Sequence, residues 1–327
     1  MVDNSWRKTN MKYVKLEKPG IEISKLSLGG HEYLPNKLSR GFNEDFAKAI
    51  TPGYIFPGFG GEQRKKLLSK AFDLGVNYFD VTHDSEKEAI GRNLRELGCP
   101  YEVYIQTRPE GFCYTYDEHN AKMADYNLLK AEAQRIIKLM QRDCIDFFNL
   151  AFMHDALEHD PEYMDKIVYN INMLKKEGLV RWVCADTFAG EETYLTQINS
   201  DAFDVIYINF NFADCGAEKN VLKAAKDHNM GVIVREQYMK GALFKMAAEA
   251  GIDDKNTLAH AAMKWCYNHE EVSTIIFGTN TAEHLADAVG ILDSLSFTDK
   301  ELEMIETIKT TNLYKEYFEK KQKEFFG

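Results

Sequence analysis

The stretch NYFDVTHDSEKEAIG, residues 77–91, places ionisable side chains directly after an apolar run. The run ends at Asp80, and His83 and Glu86 follow shortly after it. A histidine titrates near neutral pH, so it can donate or accept a proton, and a nearby carboxylate shifts its pKa. Residues of these types at this spacing indicate general acid–base catalysis.

Polar side chains also follow the ends of the other apolar runs. They are His31 and Glu32, Arg108 and Glu110, His154 and Asp155, Asp186 and Thr187, Tyr207 with Asn209 and Asn211, Arg235 and Glu236, and Gly278 with Thr279 and Asn280. Histidines, acids and arginines that share one site suit proton transfer, and their proximity shifts their pKa values. The elements that carry them decide whether they share a site.

Short apolar runs alternate with amphipathic helical segments along the whole chain. The strand-like runs are 26–30, 76–80, 101–107, 145–154, 180–186, 205–211, 231–235 and 274–278. Strands that alternate with helices predict a parallel sheet, and eight such units favour a closed (β/α)8 TIM barrel. In such a barrel the carboxyl ends of the strands converge, so the polar residues that follow them are expected to meet at one mouth.

Three further segments complete the expected architecture of one domain over residues 1–327. Residues 13–17 and 21–23 predict a β-hairpin ahead of the barrel. Residues 31–62 form a long insertion after the first barrel strand, either an ordered flap over the barrel mouth or a solvated loop. Residues 298–327 are expected to form a terminal helix and a lysine-rich tail.

The composition narrows the class of partner. A net charge of −11 disfavours nucleic-acid binding, because an acidic surface repels phosphodiester backbones. The six cysteines are scattered without a C-x-x-C pair, which favours reduced thiols in the cytoplasm. The N-terminal stretch MVDNSWRKTNMKYVKL lacks an apolar signal core, and no run approaches the length of a membrane span. We therefore expect a cytoplasmic protein that acts on a small molecule.

Six stretches in order carry a resemblance to a known family. They are GVNYFD, YIQTR, IDFFNLAFMHD, KKEGLVRWVCADTF, GVIVREQYMKGALF and IIFGTNTAEHLADA. Together they resemble the landmarks of the aldo-keto reductase superfamily. The resemblance implies a (β/α)8 barrel that binds NADPH in an extended pose and reduces carbonyls to alcohols with an Asp, a Tyr, a Lys and a His.

Only part of that catalytic set has a counterpart here. The resemblance places Asp80 at the family's aspartate and His154 at its histidine, and Arg108 replaces the lysine. Where the family has its tyrosine, this chain has Ser85 or a gap. The catalytic tetrad is therefore incomplete, and the chain is a divergent member without the usual proton donor.

Another residue must supply the proton if the chain reduces carbonyls. Arg108 stays charged at neutral pH, so it cannot act as an acid, although it can stabilise an oxyanion or hold a carboxylate. His83, three residues after Asp80, is our candidate donor, and Tyr114 or Tyr116 could serve if their loop folds inward. The expected catalytic residues are thus Asp80, His83, Arg108 and His154.

The cofactor-binding signature is also altered. The resemblance assigns these residues to the cofactor: Asp186, Thr187, Tyr207, Arg235, Lys240, Gly241, Gly278, Thr279, Asn280 and His284. His284 stands where the family has the arginine that grips the 2′-phosphate of NADP. We expect either weaker binding of NADP or a preference for NAD.

Three classes of enzyme remain open. The first is an oxidoreductase that uses NAD or NADP with a rebuilt proton-transfer site. The second is a non-redox acid–base enzyme, a lyase, dehydratase or epimerase, acting on a substrate such as a sugar derivative. The third is a metal-dependent hydrolase that uses His154, Asp155, His159 and Asp160, although we expect no metal site. A scaffold without catalytic activity is a fourth reading.

Overall fold

Ten strands are found in residues 10–327, the part of the chain that this computed structural model describes. They are β1 (Tyr13–Leu16), β2 (Ile21–Ser24), β3 (Leu26–Gly29), β4 (Tyr78–Asp80), β5 (Tyr104–Thr107), β6 (Ile145–Ala151), β7 (Val180–Asp186), β8 (Val205–Asn209), β9 (Gly231–Arg235) and β10 (Val272–Phe277). β1 and β2 pair as an antiparallel hairpin, and the other eight close into a barrel in the order β10-β3-β4-β5-β6-β7-β8-β9. The predicted hairpin and (β/α)8 barrel are both confirmed.

Helices connect the parallel strands. They are α1 (Phe46–Ala49), α2 (Glu62–Asp73), α3 (Asp84–Leu97), α4 (Ala121–Ala124), α5 (Tyr126–Met140), α6 (His154–His159), α7 (Tyr163–Lys176), α8 (Glu191–Asn199), α9 (Val221–Asp227), α10 (Ala242–Glu249), α11 (Lys255–Tyr267), α12 (Ala282–Gly290), α13 (Asp299–Thr310) and α14 (Asn312–Phe326). Every barrel strand is followed by at least one of them, because a parallel pair needs a long crossover. No helix of residues 10–327 is long and apolar enough to cross a membrane.

The barrel strands are buried on both faces. Every residue of β6, whose sequence is IDFFNLA, is buried. One face fills the barrel interior and the other packs under the helices, which is why these strands read as continuous apolar runs. The polar residues that end the strands lie at the carboxyl rim of the barrel.

Some strand ends differ from the sequence expectation. β4 and β5 begin at Tyr78 and Tyr104, two and three residues later than expected. β6 ends at Ala151, whose partner Asp186 is also the last residue of β7, and the chain then turns into α6. His154 is therefore the first residue of a helix and not the end of a barrel strand. Residues 1–9, the start of the stretch without a signal core, lie outside the described residues.

The insertion over residues 31–62 follows β3 and leads into α2. It contains the short helix α1 and is anchored on the first turn of α3. The Gly53 N–H donates to Asp84 Oδ2 at 2.6 Å, and the Phe56 N–H donates to Ser85 Oγ at 2.8 Å. The Ser85 hydroxyl therefore helps to hold the insertion on α3.

The C-terminal segment contains two helices, whereas the sequence suggested one helix and a tail. A capping box, formed by Thr298 and Glu301, begins α13. The lysine-rich end of the chain forms α14, whose Tyr314 hydroxyl donates to the Phe212 carbonyl at 3.0 Å. Phe325 of α14 packs closely on Gly190 and Gly216, where a side chain would collide with it. The helix thus lies beside the barrel mouth, against the loops that follow β7 and β8.

Candidate functional site

Asp80 lies at the carboxyl end of β4 and is buried. Its Oδ2 accepts a hydrogen bond from the Tyr207 hydroxyl at 2.8 Å, and its Oδ1 accepts one from Gln106 Nε2 at 3.1 Å. Burial raises the pKa of Asp80, and the Tyr207 hydroxyl opposes this rise because it stabilises the ionised form. Two residues assigned to different roles, catalytic Asp80 and cofactor-binding Tyr207, are therefore direct partners.

A buried carboxylate, Glu86, lies close to two histidines beside Asp80 and forms a hydrogen bond with one of them, His31. Its oxygens accept from the Thr82 N–H at 2.8 Å and the Thr82 hydroxyl at 2.9 Å. His31 Nδ1 lies 2.6 Å from Glu86, and His83 Nε2 lies 3.0 Å from it. Burial would raise the pKa of Glu86, but the charges of His83 and His31 outweigh burial and hold it well below its ordinary value.

His83, the proposed proton donor, is enclosed. It precedes the first residue of α3, and only 1% of its side chain is exposed. The rings of Phe42 and Phe59 from the insertion meet its imidazole edge-on, at centroid distances of 5.2 and 5.1 Å. A substrate at the barrel mouth cannot reach a side chain covered in this way, so the structure argues against direct proton transfer by His83.

His31 was expected at a strand end but was not among the expected catalytic residues. It follows β3, and 34% of its side chain is exposed, so it reaches the solvent that His83 does not. The signal was present in the sequence, since His31 follows the first barrel strand directly after Gly29 and Gly30. His83 was chosen instead because it lies closer to Asp80 along the chain.

Arg108 follows β5 and is also buried. Its guanidinium carbon lies 5.3 Å from the ring centre of Tyr114, 5.5 Å from that of Tyr116 and 5.6 Å from that of Phe42. Its Nε and Nη2 atoms have no hydrogen-bond partner among the described residues. Arg108 is therefore a permanent charge with unused donors, which suits binding of an anionic or carbonyl oxygen.

Asp186 and Arg235, both assigned to the cofactor, bind each other instead. The guanidinium of Arg235 donates to the two oxygens of Asp186, each at 2.8 Å. The Tyr114 hydroxyl adds a third bond to Asp186 at 2.6 Å, and Asn149 Nδ2 a fourth at 3.0 Å. Burial raises the pKa of Tyr114 well above its ordinary value. The carboxylate oxygens of Asp186, which the resemblance assigns to the nicotinamide amide, therefore already accept hydrogen bonds from the protein. The raised pKa of Tyr114 makes its hydroxyl a poor proton donor.

The residues after β10 hold the insertion. Asn280 Oδ1 accepts from the Tyr33 N–H at 2.9 Å, and its Nδ2 donates to the Tyr33 carbonyl at 2.7 Å. A side chain at Gly278 would collide with the Tyr33 ring. Thr279 is buried, and His284 is exposed in the first turn of α12. Gly278 and Asn280, both assigned to the cofactor, thus contact Tyr33 of the insertion.

His154 contacts side chains of α6 and α8. Its Nδ1 is 3.2 Å from Thr193 Oγ1, and its Nε2 lies 3.9 Å from Glu158 and 3.8 Å from Glu192. These partners belong to α6 and α8, and no hydrogen bond or ion pair joins His154 to Asp80 among the residues that the structure describes.

The possible metal ligands near His154 are engaged elsewhere. Asp155 binds His119 at 3.1 Å, His159 stacks on the His119 ring, and Asp160 pairs with Lys166. Within residues 10–327 no three His, Cys, Asp or Glu side chains are grouped to hold a metal ion. The hydrolase hypothesis gains no support from this arrangement.

A cleft of about 390 Å³ opens between the barrel rim and α14. It is lined by Thr187, Phe188, Gly190, Tyr194, Ile208, Asn209, Asp214, Lys240, Lys320, Lys321, Glu324 and Phe325. Its volume falls within the range of small-molecule sites. Thr187 and Lys240 were both assigned to the cofactor, and Gly241 follows Lys240 with open space around its Cα. Each of its three lysines already forms an ion pair, with Glu236, Glu324 or Asp214, so an anionic ligand would have to compete with these carboxylates.

Comparisons with known proteins agree with this barrel. The chain is 22% identical over 294 residues to L-glyceraldehyde 3-phosphate reductase of Escherichia coli K12, covering 75% of this chain and 83% of the relative. The holo form of aldo-keto reductase AKR11C1 from Bacillus halodurans superposes with a TM-score of 0.66 at 16% identity, covering 91% of this chain and 96% of that one. An aldo-keto reductase from Klebsiella pneumoniae in complex with NADPH gives 0.65 at 14% identity, covering 92% and 96%.

The family itself is shown by a sequence model. The model of the aldo/keto reductase family matches residues 58–310, which is most of the chain. This match spans the strand ends that carry Asp80, Arg108, Asp186 and Arg235. The chain therefore belongs to the aldo/keto reductase family.

Proposed function

We propose that this protein is an oxidoreductase that interconverts a carbonyl and an alcohol with a nicotinamide cofactor, through an altered proton-transfer site. The observation that carries the proposal is the cleft at the barrel rim, lined by Thr187 and Lys240, two residues that the resemblance assigns to the cofactor. NADPH is bound by the Klebsiella pneumoniae neighbour, and the Escherichia coli relative is named as a reductase, which supports the same reading.

The residues of the cleft fit the phosphate-bearing part of a dinucleotide. Lys240, Lys320 and Lys321 bring three ammonium groups to one cleft, where a phosphate would replace the carboxylates that now pair with them. Thr187 adds a hydroxyl to the lining of the cleft. When bound, a reduced nicotinamide supplies a hydride to a carbonyl carbon. The chain's own contribution is to hold the dinucleotide and to provide the proton.

A non-redox acid–base enzyme is the second candidate, and one observation favours it. The Asp186 carboxylate already accepts bonds from Arg235, Tyr114 and Asn149, so it has little capacity left for a nicotinamide amide. A lyase, dehydratase or epimerase would need no such amide contact. Such an enzyme would use the same acid–base group around Asp80 on a substrate such as a sugar derivative.

Titration with NADPH and with NADH tests the first candidate. Bound reduced nicotinamide changes its fluorescence, so a saturable change is the expected result. Lys240→Ala should weaken the binding of either cofactor at least about tenfold, since removal of one charge-assisted contact typically costs 1.5–3 kcal/mol. Lys223→Ala is the matched control, because Lys223 is an exposed lysine paired with Asp227 on α9. The absence of any binding at millimolar cofactor would remove the oxidoreductase proposal.

A further inference from the structure

We propose that His31 is the residue that exchanges a proton with the substrate oxygen, and that Glu86 is its positioning residue. The inference deepens the proposed function and rests on it. It gives His31, which follows the first barrel strand, the role of the tyrosine that the resemblance leads one to expect.

The backbone brings His31 to the same rim as Asp80. Gly29 of β3 pairs with Asp80 of β4, so His31 follows that pair by two residues. A side chain at Gly30 would come within 2.8 Å of both the Asp80 carbonyl and Glu86 Oε2. Glycine at this position therefore lets the chain pass close over Asp80 before it presents His31 at the rim.

Glu86 fixes the imidazole of His31 in one orientation. Nδ1 of His31 lies 2.6 Å from Glu86 Oε1, and Glu86 is itself held by two bonds from Thr82. A carboxylate accepts only, so Nδ1 of His31 is the donor in this bond. Nε2 has no protein partner among the bonds of the described residues, and the ring is one-third exposed. The free nitrogen is thus available to a substrate.

The charged groups around His31 set the pKa of its imidazole. Burial lowers its pKa, but the Glu86 carboxylate outweighs burial and raises it, with a further rise from Asp80. Arg108 opposes these acids and lowers it. The other ring neighbours, Tyr33 and Phe42, meet the imidazole edge-on at 6.4 and 5.8 Å. His31 is therefore a histidine that holds its proton more firmly than a free one and still titrates.

The proton and electron balance of the reduction is simple. The carbonyl carbon accepts a hydride, which is two electrons and a proton, from a reduced nicotinamide dinucleotide, and the carbonyl π bond breaks toward oxygen. Nε2 of the protonated His31 donates its proton to that oxygen, forming the alcohol O–H bond. His31 becomes neutral and regains a proton from solvent through its exposed face. In the oxidation direction each transfer reverses.

The rival donors are less well placed. His83 shares Glu86 but lies under Phe42 and Phe59 of the insertion. The Tyr114 hydroxyl is committed to Asp186. Tyr116 stacks near Arg108 and is the rival that a direct test must include. Tyr116→Phe removes its hydroxyl and keeps its ring, so it measures that alternative separately.

Nitrogen-detected NMR titration of the wild-type protein tests the His31–Glu86 pair without any cofactor. The expected result is a pKa for His31 above its ordinary value of 6.5, with the proton of the neutral form on Nδ1. Glu86→Gln should lower that pKa, because the amide keeps the shape and loses the charge. A His31 pKa at or below 6.5 in the wild-type protein, or one that Glu86→Gln leaves unchanged, would overturn the pairing.

Kinetics tests the proton transfer. The probe reaction is reduction of 4-nitrobenzaldehyde by NADPH, followed over a range of pH. His31→Gln should lower kcat/KM by about 100- to 10,000-fold, leave the NADPH dissociation constant unchanged, and remove the fall in rate at high pH. His228→Gln, a surface histidine paired with Asp201, is the control and should retain the wild-type rate and profile.

Three experimental results would distinguish failure of the proposed role of His31 from failure of the proposed oxidoreductase function. Wild-type turnover and pH profile in His31→Gln would overturn the role of His31 while the oxidoreductase proposal stands. Loss of the high-pH limb in Tyr116→Phe instead of His31→Gln would assign the proton to the tyrosine and also overturn it. Failure of NADPH to bind the wild-type protein would end the proposed function itself.

Discussion

Replacement of Tyr207 by phenylalanine isolates one bond at the centre of the site. The Tyr207 hydroxyl donates to Asp80 at 2.8 Å, and both residues are buried. Phenylalanine keeps the ring and removes this donor. A hydrogen bond to an ionised group contributes about 1.5–3 kcal/mol, and one to a neutral group about 0.5–1.5 kcal/mol. We therefore expect Tyr207→Phe to lower the free energy of unfolding by about 1.5–3 kcal/mol when Asp80 is ionised.

The size of the loss should depend on pH. Burial raises the pKa of Asp80 in the folded protein above 3.8, its ordinary value, so the fold favours the protonated form. The contribution of this group to stability is therefore greatest below that ordinary value and falls as pH rises through the raised pKa. The Tyr207 bond limits this fall because it lowers the pKa. Its removal should cost more at pH 8 than at pH 4.

Urea unfolding at the two pH values measures both effects. Tyr126→Phe is the matched control, because the Tyr126 hydroxyl donates to the carboxylate of Glu177 at 2.6 Å near the surface. Its loss should stay within about 0.5 kcal/mol. A loss below about 0.5 kcal/mol for Tyr207→Phe, or an equal loss at both pH values, would show that Tyr207 does not stabilise an ionised Asp80.

Two further substitutions test the structure around the site. Gly41→Ala should destabilise the protein by about 1–3 kcal/mol, because Gly41 has a φ of 73° and its Cβ would lie 2.8 Å from His83 Nε2. Gly53→Ala has a similar φ with open space around the Cβ, so a smaller loss in thermal unfolding separates the backbone cost from the collision with His83. Lys87→Met should cost about 3–5 kcal/mol in urea unfolding, because it leaves the buried Glu110 without the ammonium 3.0 Å away. A Lys87→Met, Glu110→Gln double variant that is no more stable than Lys87→Met alone would contradict that reason.

The barrel could be predicted because its pattern is periodic and local. Eight apolar runs separated by helical segments admit few topologies, and the limits predicted for β7 and β9 match the structure. The ends of β6 and β8 were placed too late, because the apolar run continues after the chain has left the barrel. The sequence Met-His-Asp at residues 153–155 carries no signal that the chain turns into α6 before His154.

The site could be predicted only in part. The resemblance led to Asp80, and the rule of strand ends listed both His31 and His83. The choice between the two histidines depended on residues 31–62, whose fold has no periodic signal. That insertion places Phe42 and Phe59 over His83 and leaves His31 at the rim. The Asp186–Arg235 ion pair could not be predicted either, because the two residues are 49 positions apart in the sequence.

The helix α14 adds a wall to the cleft that the sequence did not suggest. Its residues were expected to form a tail, yet Tyr314 and Phe318 stack along one face of the helix. Lys320, Lys321 and Phe325 then line the cleft. Aromatic residues four positions apart are a helical signal, so this element could have been found from the sequence.

Isotope transfer tests the central claim most directly, that this barrel reduces a carbonyl with a nicotinamide hydride. The protein would be given NADPH carrying deuterium at the transferable position and an aldehyde such as 4-nitrobenzaldehyde, with the product analysed by mass spectrometry. The account predicts one deuterium on the carbinol carbon for each NADPH consumed. Conversion of the substrate without deuterium in the product and without loss of NADPH would contradict it and favour the acid–base enzyme.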